Sequence, residues 1–207
     1  MNLLINKSLF SGKKVIKMKK VYLKKILTII LIVLGIQVSA NSQEYVSPTQ
    51  PVETGKAPGV KIKLLSTNGQ TKNYVLIFAQ GDEVRSGLTE FAQKYQVKTA
   101  HFTAIGDATS AIFGFFDYGR KMFKVIPISE PTEVSSFNGN IAVLNGKQVV
   151  HIHANVSDAD GISRGGHLLQ LVTGPTLEVF LTVEPTTLYK KVNPQFGAGI
   201  INPTLEH

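Results

Sequence analysis

From Val60 the chain sets apolar and polar residues in short, regular alternation. VKIKLLST alternates, and NYVLIFA is a brief apolar run rich in strand formers, so both are predicted as strands. Asn68-Gly69 between them signals a tight hairpin turn. At Asp82 the period changes. Val84, Leu88, Phe91, Ala92 and Tyr95 fall on one stripe at helical spacing, which predicts a helix to about Gln96 with Asp82 as its N-cap.

After the helix come KTAHFTAI, SAIFGFF, KMFKVIPI, TEVSSF, NIAVL, KQVVHIHANV, HLLQLV and TLEVFLTV, each strand-like and set off by glycine, asparagine or proline. Asn145-Gly146 is the clearest two-residue hairpin turn. One helix among many hairpin-linked strands predicts an α+β fold with a mostly antiparallel sheet. Upstream, residues 41–59 (NSQEYVSPTQPVETGKAPG) are polar, proline-bearing and without period, which predicts a flexible linker ahead of a single domain over 60–207.

Charge sharpens this division. The chain has 22 Lys and Arg against 14 Asp and Glu, a formal charge of +8 that invites a nucleic-acid reading. Eight of those lysines lie within residues 1–40, which hold no acid, so the remainder has 14 bases against 14 acids and is neutral. The basic leader runs into an apolar stretch from Ile26 to about Val38 and ends Val38-Ser39-Ala40, the pattern of a secretory signal peptide. Cleavage is expected after Ala40, with a periplasmic or secreted product and no membrane span once the leader is removed. Lysines crowd just before the apolar run, so Met18 is an alternative start. With no cysteine, the exported domain has no disulfide to rely on.

Three of the five histidines stand within VVHIHANVSDADGISRGGHLL. In a strand, His151 and His153 project to one face about 7 Å apart, while Ile152 faces the other way. If HIHANV and HLLQL form a hairpin about Asp160, His153 lies opposite His167 and all three imidazoles converge. A bulge at Gly165-Gly166 would turn His167 away. Three neutral imidazoles suit zinc or another divalent first-row metal and leave one coordination position open.

Other polar residues carry less. Glu178, alone in the apolar TLEVFLTV, is a candidate catalytic base or partner of a metal-bound group. Asp158-Ala159-Asp160-Gly161 lacks the later ligands of a calcium loop and reads as a turn. His101, between Ala100 and Phe102, is expected to be structural.

LIFAQGDEVRSGLTEFAQKY, HFTAIGDATSAIFGFFD, EVSSFNGNIAVLNGKQVVHIHANVSDADGISRGGHLLQ and PTLEVFLTV occur in the order seen in the plant and prokaryote conserved (PPC) domain, which the chain resembles from about residue 74 to 194. The most specific block is VHIHA, a short acidic loop, then GGHL. The resemblance implies an antiparallel sheet with one main helix, assembly as a homotrimer, and metal ligation by His151, His153 and His167. Plant members carry AT-hook segments that grip DNA. Here no Arg-Gly-Arg-Pro occurs, and the plant-type Gly-Arg-Phe-Glu-Ile-Leu is replaced by Gly139-Asn140-Ile141-Ala142-Val143-Leu144, so a DNA role loses its support.

Two functions compete. One is an exported zinc-binding protein, hydrolytic if Glu178 assists; the other is a non-enzymatic trimeric module for a small molecule or protein ligand, its histidines merely bracing the sheet. Nucleic-acid binding by a neutral exported domain is disfavoured.

Overall fold

The computed structural model describes Tyr22, Lys24, Lys25 and residues 43–205. Apart from those three helical residues, the predicted leader, the alternative start and the cleavage point lie outside the described residues. No helix among the described residues is long and apolar enough to cross a membrane.

Residues 43–205 form ten strands and one helix in the order β1 (Tyr45–Val46), β2 (Lys61–Asn68), β3 (Thr71–Ala79), α1 (Val84–Lys94), β4 (Ala100–Asp117), β5 (Met122–Ile128), β6 (Thr132–Leu144), β7 (Lys147–Ser157), β8 (Ser163–Val183), β9 (Tyr189–Val192) and β10 (Gly199–Ile201). The sheet runs β1-β5-β4-β6-β7-β8-β3-β2, with β9 on β6 and β10 on β9. Only the β6–β9 contact is parallel. Strand β4 also pairs with β8, so β4, β6, β7 and β8 close into a circuit. The α+β expectation holds in this form, one short helix on a large antiparallel sheet.

Alternation decides what each strand buries. Phe102, Phe137, Ile152, Leu168 and Leu177 turn inward and are almost wholly buried, while their sequence neighbours are less buried and face the other side of the sheet. Helix α1 lays Val84, Leu88, Phe91 and Ala92 against the same core. At 11 residues it is too short to persist alone. Burying each large apolar side chain contributes about 1.5–3 kcal/mol, and that packing holds it in place. Tyr74, Phe91 and Tyr95 form a ring cluster at its C-terminal end, with centroids 4.9–5.9 Å apart.

Several boundaries differ from the sequence expectation. The segments KTAHFTAI and SAIFGFF are one 18-residue strand, β4, and HLLQLV and TLEVFLTV are one 21-residue strand, β8. TEVSSF and NIAVL likewise join as β6. Register shifts along the β4–β8 ladder absorb the glycines and Pro175, bending these strands where breaks were expected. Both hairpin turns form. The first uses Gly69 and Gln70, since Asn68 still pairs with Thr71. In the second, Asn145 and Gly146 both adopt positive φ (50° and 75°), as a two-residue turn between Leu144 and Lys147 requires.

The helix cap is Glu83, not Asp82. Glu83 accepts from the amides of Arg85 and Ser86. Asp82 is held elsewhere: it is buried, and its two carboxylate oxygens accept from the amides of Gly59 and Ala79, both at 2.9 Å. That bond ties down the stretch expected to be a linker. Residues 43–59 are built into the domain, with Tyr45 and Val46 paired to Lys124 and Phe123, Ala57 in the core, and the Glu83 amide donating to Lys56 O at 2.8 Å. The segment is held through its backbone amides and carbonyls, which its polar composition does not reveal.

Candidate metal centre

Strand β7 carries the site because its alternation is strict. Val150, Ile152, Ala154 and Val156 enter the core, which forces His151 and His153 onto the opposite face. The β7–β8 ladder places His153 directly opposite His167, in the register expected from a hairpin about Asp160. No bulge intervenes at Gly165-Gly166. A Cβ on Gly165 would lie 2.1 Å from the carbonyl oxygen of Ala154, so glycine is what lets β8 approach β7 closely enough for this pairing. The turn itself is the Asx arrangement expected of Asp158, whose Oδ1 accepts from the amides of Asp160 and Ile162.

The three imidazoles converge. Ring centroids are 5.2 Å (His151–His153), 5.0 Å (His151–His167) and 5.5 Å (His153–His167) apart, and one nitrogen from each lies within 4.8 Å of the others. His167 is braced by Phe123, stacked on it at 4.2 Å with the rings 6° from parallel. Burial pushes the His151 imidazole down to about 4 and His167 down to about 3, reinforced by the positive charges of Arg85 and Lys190 and by the neighbouring rings. Both are therefore neutral at ordinary pH, with a nitrogen lone pair free to donate. Three imidazole nitrogens this close together are a donor set that zinc and similar ions take, so the residues present fit a metal ion.

Glu178 is not part of this cluster. It pairs with Ile77 and Ile105, eleven residues along β8 from His167, and strand rise puts that about 36 Å away along an extended chain. The isolated acid in an apolar strand was a sequence signal without a spatial one. His101 lies on the outer face, 3.7 Å from Glu184 and outside the triad.

The sequence reading missed three neighbouring side chains and a cleft. Arg85, on the first turn of α1, donates from Nη1 to Leu169 O at 2.6 Å. Lys190 on β9 is buried, which pulls its amine down to about 8. Asn140 pairs with His151 across the β6–β7 ladder, and its side-chain oxygen is buried without a hydrogen-bond partner. A cleft of about 280 Å³ lies beside His167, walled by Phe123, Arg85 and the stretch from Glu44 to Glu53. Only long-range topology joins these residues; the one local hint was Asn140, a polar residue at the head of the apolar run Ile141-Ala142-Val143-Leu144.

The chain is similar to known proteins in sequence and in fold. The sequence matches the Plants and Prokaryotes Conserved (PCC) domain over residues 65–184. No curated protein matches. Among solved structures, a candidate DNA-binding protein from Ralstonia eutropha JMP134 is 34% identical, covering 62% of this chain and 90% of its own, with a TM-score of 0.59. A plant- and prokaryote-conserved (PPC) protein from Pyrococcus horikoshii is 26% identical over 68% of this chain and all of its own, with a TM-score of 0.60. A metal-containing protein from Archaeoglobus fulgidus, 24% identical over 69% of this chain and 96% of its own, shares the fold at a TM-score of 0.59. The match spans more than half of the sequence: the chain belongs to the Plants and Prokaryotes Conserved domain family.

Proposed function

We propose that this protein is an exported, homotrimeric metal-binding domain that holds a divalent first-row ion, zinc first among them, on His151, His153 and His167. The observation that carries this reading is the approach of three imidazole nitrogens to within 4.8 Å of one another, with burial keeping the His151 and His167 rings neutral. Export is supported by the lysine-rich leader and its apolar run. Trimer formation is supported by the family and by the outward apolar side chains Ile105, Phe115 and Phe180, each about half exposed or more. Zinc, when bound, supplies a Lewis-acid centre with one position open to a ligand. Glu178 lies outside the triad, so the reading rests on ion binding and assigns no reaction. The DNA-binding name of the Ralstonia relative finds little support in a chain that is neutral beyond residue 40.

The test is metal content by mass spectrometry on protein purified without a polyhistidine tag, with light scattering for assembly. About one zinc per chain, lost in His151→Ala/His153→Ala, is expected. Metal-free protein that stays metal-free after zinc is added would sink the reading, and a monomer at micromolar concentration would remove the trimer.

A further inference from the structure

Among the described residues, His167 is the one member of the triad with a ring from outside it laid against its face. Phe123 lies flat on the imidazole, centroids 4.2 Å apart and planes 6° from parallel. The two residues are not on adjacent strands. Phe123 belongs to β5 and His167 to β8, and β4 runs between them. The residue of β4 at the crossing is Gly114, paired with His167 on one side and with Val125 on the other. Paired residues share a face of the sheet, as do residues two apart, so Gly114, His167, Val125 and Phe123 all address the same face. A Cβ on Gly114 would stand 2.9 Å from Cβ, Cγ and Cδ1 of Phe123. Any side chain there would fill the space through which Phe123 reaches across β4 to His167. Gly114 has no positive φ, so it is this space that calls for glycine.

The clamp is itself supported. Phe116, opposite Phe123 in the β4–β5 ladder, meets it edge-on at 5.4 Å and 71°. On the other side β1 pairs Val46 with Phe123, and that strand lies ahead of residues 65–184, the part matched by the family. Phe123 is buried, so packing holds its ring in place. An imidazole with a parallel ring against its face cannot turn about its Cβ–Cγ bond without striking that ring. This bears on which ion the triad accepts. Zinc takes its donors in a tetrahedral arrangement, whereas copper(II) prefers a tetragonal one, in which two of any three in-plane donors lie opposite each other. Three rings converging from one face of a sheet suit the first, and reaching the second requires one of them to reorient.

We propose that Phe123, given passage by Gly114, is a positioning residue that locks the His167 imidazole and so sets the triad's preference for a tetrahedral ion such as zinc over copper(II). The inference rests on the metal-binding reading and supplies its selectivity. Copper(II) ordinarily outcompetes zinc for nitrogen donors, and a site that narrows this gap has to do so through geometry. A ring that cannot follow the ion's preferred arrangement is such a device.

The experiment uses the full chain, purified without a polyhistidine tag, as wild type, Phe123→Leu, Phe123→Tyr and Gly114→Ala. Leucine keeps apolar bulk without a flat face, tyrosine keeps the face, and the Gly114 variant displaces Phe123 while altering no ring. Zinc and copper(II) affinities are measured by chelator competition, cobalt(II) absorption reports the geometry of the site, and melts of the metal-free proteins establish that each is folded. Zinc affinity is expected to fall by about tenfold or more in Phe123→Leu and Gly114→Ala, while copper(II) affinity holds or rises. The cobalt absorption should weaken in both as tetrahedral geometry is lost, and Phe123→Tyr should behave as wild type. Zinc and copper(II) affinities that fall together would mean that Phe123 only supports the fold, and would overturn the proposal. Unchanged zinc affinity in Phe123→Leu would do the same, as would a folded Phe123→Tyr protein no better than Phe123→Leu. If Gly114→Ala does not fold, the two Phe123 variants decide. Wild type that binds none of the three ions overturns the metal reading and this one with it.

Discussion

His153 and His167 face each other across the β7–β8 ladder, fourteen residues apart in the chain, with ring centroids 5.5 Å apart. Their spacing is set by two paired backbones and not by a loop. His153 is exposed, so His153→Ala should alter stability by no more than about 0.5 kcal/mol. The same change should abolish stoichiometric zinc. Calorimetric titration and a denaturant melt on one preparation check both halves; a destabilised variant with normal zinc content would contradict the assignment.

Acid should weaken the metal-free domain. The folded-state values of His151 and His167 are depressed to about 4 and about 3, against 6.5 for a free imidazole, so the unfolded chain binds more protons between those limits. Stability therefore falls as pH drops from about 6.5 towards 3, by up to about 1.4 kcal/mol per group for each pH unit. Urea melts at pH 7, 5.5 and 4.5 should show the midpoint declining in that order, and replacing both histidines with glutamine should flatten the trend. Zinc at a thousandfold over its dissociation constant should add about 4 kcal/mol at pH 7.

Asn140 gives a separate handle on the site. An imidazole that binds metal through one nitrogen commonly donates the other N–H to a nearby acceptor, and such partners are worth 10–100-fold in affinity. Asn140 sits opposite His151 with its side-chain oxygen buried and unpartnered. Asn140→Val should leave the metal-free fold as stable or slightly more so, because an unsatisfied buried acceptor is removed. Zinc affinity should fall by about 10-fold or more; unchanged affinity would mean that the oxygen plays no part.

Gly165→Ala tests the close approach of the two strands. The added methyl would meet the Ala154 carbonyl at 2.1 Å, so the ladder must spread. Destabilisation of about 1–3 kcal/mol is expected, with weakened zinc binding. A control at Gly161, whose Cβ would meet nothing but whose φ is 75°, should cost stability and leave metal affinity alone.

Asp82→Ala should cost about 2–4 kcal/mol by stranding the amides of Gly59 and Ala79. Proteolysis should then cut within residues 43–59 while the rest of the domain persists. Equal protection in variant and wild type would show that this bond does not hold the segment.

What the sequence made legible was local or periodic. Parity on β7 and a symmetric hairpin were enough to bring His151, His153 and His167 together, and the stripe from Val84 to Tyr95 gave α1. Strand ends were misplaced where glycine and proline bend a strand without ending it, as in β4 and β8. The cap went to Asp82 because pattern alone cannot tell which of two adjacent acids is claimed by a distant amide. Arg85, Phe123, Lys190 and the segment from Glu44 to Glu53 reach the site from five separate parts of the fold counting β7–β8, contacts that no window of sequence contains.

Strand β8 is hydrogen-bonded to β7 on one side and to β4 on the other where it carries His167. The backbone that carries His167 cannot shift by itself, since moving it means unzipping two ladders of the closed circuit. A change of register there, with the loss of the triad that would follow, should accordingly occur only at the pace of cooperative opening.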